Sequence, residues 1–77
     1  MTIVEVFWDD AWVESGTMTV KKAKQSKPIK TRTIGYLISE NEHGITLATD
    51  TYEKDTKNVK IINHIPWGMV TEYWYLQ

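Results

Sequence analysis

The chain has no cysteine, which removes disulfides and thiolate metal sites and leaves the redox compartment unread. Proline occurs twice and glycine four times, so breaks in regular structure are few and each marks a definite corner. No apolar run approaches the roughly 20 residues that a membrane helix needs. The opening Met-Thr-Ile-Val-Glu-Val has neither the basic flank nor the apolar stretch of a signal peptide. The expectation is a soluble, cytoplasmic protein without a membrane partner. Catalytic signatures are missing too: no cysteine nucleophile, no Gly-x-Ser-x-Gly, no phosphate-binding glycine loop and no His-Glu-x-x-His. Asp9, Asp10 and Glu14 lie near one another, but acidic pairs at a turn are ordinarily solvated. An enzyme is not expected, nor a cofactor or metal; two distant histidines make a weak zinc site.

What the chain does have is aromatic weight. Its 77 residues make one domain, 1–77, and carry four tryptophans, four tyrosines and one phenylalanine. A core this small gives little stability, and oligomerisation is a common remedy. The aromatics therefore serve as core and as interface between copies, since both settings favour them. A homo-oligomer is expected. Net charge is −1, so bulk electrostatics draw no polyanion to the whole molecule. The charge is uneven, with Glu5, Asp9, Asp10 and Glu14 followed by Lys21, Lys22, Lys24, Lys27, Lys30 and Arg32.

Thr31 to Thr49 carries the clearest pattern: two apolar, β-branched runs around Asn41-Glu42-His43-Gly44, a hairpin. Ile34, Tyr36 and Ile38 share one face, opposite Gly35 and Leu37, while Ile45 and Leu47 share a face opposite Thr46 and Ala48. Thr2 to Trp8 alternates as a first strand, which Asp9-Asp10 is expected to break. Thr17 to Ser26 predicts a short helix, with Thr17 or Thr19 as N-cap and Val20 and Ala23 as a buried stripe packed on the sheet. Pro28 closes that segment. After a polar loop over 50–58, Val59 to Ile65 reads as a strand, with Val59, Ile61, Asn63 and Ile65 in one register and Lys60, Ile62 and His64 in the other. Pro66 stops it and Gly68 is expected to permit the change of direction. Met69 to Leu76 is the last strand. The predicted fold is mainly β: five strands in a strongly bent antiparallel barrel, with one short helix between strands one and two.

Gly35, Leu37 and Asn41 stand at the spacings of the first Sm motif, and Ile65, Val70 and Tyr73 at those of the second. The chain thus resembles the Sm-like, SH3-type small barrels. Pro66-Trp67-Gly68 departs from that family's basic-glycine signature, and its Asp-x-Met-Asn turn is not reproduced. Trp8-Asp9-Asp10-Ala11, Gly35-Tyr36-Leu37 and Ile65-Pro66-Trp67-Gly68-Met69-Val70 also match the layout of a group of short phage and bacterial proteins. The Sm resemblance implies that the loops after strands two and four approach each other and form a base pocket, here Asn41, His43, His64 and Trp67. Ring nitrogens, amides and an indole suit a base edge and its face.

Two functional expectations follow, both non-enzymatic. One is an oligomeric Sm-like binder of single-stranded RNA or a nucleotide, with phosphates on Lys21, Lys22, Lys24, Lys27, Lys30 and Arg32. The other is a phage-type accessory protein that acts as an adaptor or inhibitor of a host protein. Its interface would use Trp12, Tyr73, Trp74 and Tyr75. Pairing of the last strand with a second copy draws on the same tyrosines.

Overall fold

The structure is a computed structural model that describes residues 1–77. Five antiparallel strands form one sheet: β1 (Ile3–Asp10), β2 (Ile29–Asn41), β3 (Gly44–Thr51), β4 (Val59–Ile65) and β5 (Val70–Tyr75). The spatial order is β4-β3-β2-β1-β5. A single-turn helix, α1 (Val20–Ala23), lies between β1 and β2, and a 3-10 turn over Trp67–Met69 joins β4 to β5. The sheet is open, with β4 and β5 as its two free edges. No helix is long and apolar enough to cross a membrane.

The alternation seen in the sequence decides which side chains meet. Val4 pairs with Gly35 and with Tyr75, and Val6 with Thr33 and Tyr73. Leu47 pairs with Leu37 and Asn63, and Ile45 with Glu40 and Ile65. Cross-strand partners share a face, so these positions define the inner side of the sheet. Val4, Val6, Ile45, Leu47 and Ile65 form its buried core, flanked by Trp8, Leu37, Trp67, Met69, Val70 and Tyr73. A Cβ on Gly35 would sit 2.8 Å from the Ala48 carbonyl oxygen, so the bare backbone is what lets β3 pass so close. Register shifts leave Thr71 of β5 and Ile38 of β2 as extra residues and add a local bend to each of those strands.

Four local expectations need correction. Asp9 and Asp10 do not break β1 after Trp8 but are its last two residues; they pair with Lys30 and Ile29, and the Lys30 ammonium lies 3.9 Å from Asp9. An opposite charge across the ladder outweighs the turn preference of aspartate. The helix is one turn rather than two or three. Thr19 caps it, its hydroxyl accepting the Lys22 N–H at 3.2 Å. The stripe is not buried, with Val20 71% exposed, because one turn is too short to lay a continuous face on the sheet. Gly68 is not what turns the last corner: it has no positive φ, and nothing lies within 4 Å of where its Cβ would be. Pro66, with an extended backbone, and the 3-10 turn after it do that.

Candidate functional site

The β2–β3 turn is built locally. Asn41 pairs with Gly44 across Glu42 and His43, and the Asn41 Oδ1 accepts the His43 N–H at 2.9 Å. Gly44 has φ 147°, and a Cβ there would fall 2.3 Å from the Ile65 carbonyl oxygen and 2.9 Å from Pro66 Cα. The turn therefore lies directly on the corner that follows β4. Trp67 closes the junction, its indole N–H donating to the Asn41 carbonyl at 2.5 Å. The two loops do meet, through Asn41 and Trp67.

The histidines take other positions. His43 is at the turn tip, exposed, with Nε2 3.5 Å from the Glu42 carboxylate. His64 pairs with Thr46, and its Nδ1 lies 2.7 Å from the Thr46 hydroxyl. Its neighbour Ile65 is in the core, so alternation puts His64 on the outer face of the sheet. Asn41 and Trp67 are thus joined, while His43 and His64 are each engaged elsewhere. No concavity of the molecule is lined by these four residues, and no cluster of three or more metal-binding side chains is present.

Beside that corner, β5 carries an aromatic row on the inner face. The Trp67 and Tyr73 rings are 5.4 Å apart, and Tyr73 meets Tyr75 edge-on at 5.9 Å. The Tyr75 hydroxyl donates to the Glu40 carboxylate. That hydrogen bond, with some burial and the carboxylate's charge, pushes the phenol up to about 12. Trp74 points the other way, paired with Glu5 on the outer face and half exposed. Tyr73, Trp74 and Tyr75 therefore serve two faces of one edge strand. The partners of the Glu40–Tyr75 bond are 35 positions apart, so no local pattern signals it.

The six cations divide into two groups. Lys30 and Arg32 belong to β2 and face Asp9 and Glu5 at 3.9 and 3.7 Å. Lys21, Lys22, Lys24 and Lys27 stand on the arm over residues 11–28, exposed and without a carboxylate within 4 Å. Trp12 anchors that arm, its indole N–H donating to the Lys27 carbonyl at 2.5 Å. Two adjoining hollows of 370 and 300 Å³ share Trp12, Glu14, Met18, Ser26 and Lys27. Met18 and Ser26 carried no sequence signal, because the arm has no repeating pattern and its wall is made by folding back.

Fold and site together define a small open-sheet β protein with a basic arm. Comparison with protein-family models, with curated proteins and with solved structures gave no match.

Proposed function

We propose that the chain is a non-enzymatic binding and assembly module, an Sm-like or SH3-like barrel unit that associates with copies of itself through its two sheet edges. One observation carries the reading: too much surface is left uncovered. A folded monomer of 9.0 kDa is expected to expose about 4,900 Å², whereas this chain exposes 6053 Å². The surplus of roughly 1,200 Å² exceeds the ~800 Å² each partner gives to a standard interface. Only eight residues are buried, so self-association is also the available source of further apolar burial.

The edges supply the specificity. β4 carries Lys60 and exposes Ile61 and Ile62, while β5 carries Glu72 and exposes Trp74 and Tyr75. Opposite charges on opposite edges favour head-to-tail pairing, which closes into a ring or runs on as a filament. The barrel-like bend is supported by the connection itself. β4 and β5 are four strand spacings apart, about 19 Å in a flat sheet, yet one 3-10 turn links them. Such a short link favours a curled sheet.

Light scattering at micromolar concentration, before and after nuclease treatment, tests this. The expected result is a mass of several protomers that nuclease leaves intact, lost in Lys60→Glu and in Glu72→Lys and regained in the double exchange. A monodisperse monomer would reject the assembly reading. The exposed outer-face residues Ile34 and Trp74, which flank Glu5 in the ladder, favour the second reading, an adaptor for another protein. It requires that face to lose solvent exposure only in a mixed complex.

A further inference from the structure

From Ser15 to Ser39 the chain contains no carboxylate. Lys30 and Arg32 are answered across the β1–β2 ladder, but the arm's four lysines are not. Two of the four, Lys22 and Lys27, border an aromatic surface. The Trp12 ring is held by its bond to the Lys27 carbonyl, yet 40% of the residue remains exposed. It walls both hollows of the arm, with Met18 beside it, Lys27 on both rims and Lys22 on one. Glu14 faces the same hollows and repels an anion from its own side.

The geometry points to the arm as a binding site for single-stranded nucleic acid, with one base stacked on the Trp12 indole and the flanking phosphates on Lys22 and Lys27. A flat apolar ring with ammonium groups around it matches a base and its backbone together. An acidic peptide would use the lysines and leave the ring idle. Lys21 and Lys24 extend the phosphate track along the same arm. The site is complete within one chain and does not depend on assembly, so a monomer would still bind.

The test is fluorescence anisotropy of a labelled oligoadenylate of roughly twelve nucleotides with the full chain, between about 50 and 200 mM salt. With four lysines engaged, the slope of log affinity against log salt is expected near −2.8, at about −0.7 per phosphate on a single strand. Lys22→Gln with Lys27→Gln should flatten it by about 1.4. Trp12→Ala should weaken binding about 5- to 150-fold, the range for one lost base stack. Trp12→Phe keeps a ring and loses the bond to Lys27, so near-native affinity in that variant separates stacking from arm structure. Wild-type affinity in Trp12→Ala, an unchanged salt slope in the lysine pair, or no binding at the lowest salt would each overturn the assignment. So would competition by polyglutamate as strong as that of unlabelled oligoadenylate.

Discussion

Gly44→Ala is the substitution that most directly tests how the sheet is held together. The residue occupies φ 147°, where an L side chain is strained, at a cost of about 1–3 kcal/mol. The added methyl would also meet the Ile65 carbonyl oxygen at 2.3 Å, Pro66 Cα at 2.9 Å and the Ile65 carbonyl carbon at 3.0 Å. All three are backbone atoms, so no rotamer change relieves the contact. The turn and the corner must move apart, which resembles overpacking a core and costs a further ~1–3 kcal/mol. A gain of about 0.4–1 kcal/mol from a stiffer unfolded chain offsets part of this.

The net loss is then about 1–6 kcal/mol. A chain of this length holds only about 4–12 kcal/mol, and melting should fall by roughly 4–45 °C. Urea unfolding followed by tryptophan fluorescence, at one fixed protomer concentration because association adds stability, measures it. Gly68→Ala is the matched control, since the site is open and φ is not positive; it should be neutral or gain about 0.4–1 kcal/mol. The reasoning is refuted if Gly44→Ala lies within about 0.5 kcal/mol of the parent, the usual reach of surface changes, or if both alanines cost the same.

Three further outcomes follow from the same geometry. Trp67→Phe keeps most of the ring but removes the N–H that bonds Asn41, and should cost about 0.5–1.5 kcal/mol in the same urea experiment, with no loss contradicting the bond. Tyr75 is raised from 10.0 to about 12 by Glu40; its contribution is therefore complete below pH 10 and is lost as pH rises through about 12. Ultraviolet titration of the phenolates should show one late tyrosine that Glu40→Gln moves back toward 10, and identical curves would disprove the pairing. Ile61 holds φ 59° with its side chain 60% exposed, so Ile61→Asn, which tolerates that backbone, should stabilise the monomer by about 1 kcal/mol; a destabilised monomer would mean the isoleucine packs.

How much of this was legible depended on range. The β2–β3 hairpin, β4 and β5 could be read because alternation and turn chemistry are local, and β4 runs over the expected Val59–Ile65. Parity within β4 already set His64 apart from Ile65, and the structure places them on opposite faces. Asp9 and Asp10 misled because their partners, Lys30 and Ile29, are some twenty positions away. The helix was overestimated because spacing reports a possible stripe and not whether a surface exists to receive it. The bond between Asn41 and Trp67 joins positions 26 apart and no local pattern shows it, and the Trp12 hollow depends on the arm folding back and left no pattern to read.

Stability and the proposed recognition surface then fall on different parts of the chain. The buried residues lie in β1, β2, β3 and β4, and Gly44 locks the turn before β3 to the corner after β4. No arm residue from 11 to 28 is buried. A segment outside the core can exchange lysines and lose an indole with little effect on folding, whereas the same changes near Gly44 would act on the whole sheet. The edges are an intermediate case, since β4 and β5 are half inside the fold and half available to a second copy. Lys60→Glu sets a carboxylate opposite Asp50 and takes the cation from the Tyr52 ring, so it should cost about 0.2–1 kcal/mol at low protomer concentration while abolishing the rise of stability with concentration. A concentration dependence that survives Lys60→Glu would place the contact between copies on the outer face around Ile34 and Trp74 instead of the edges.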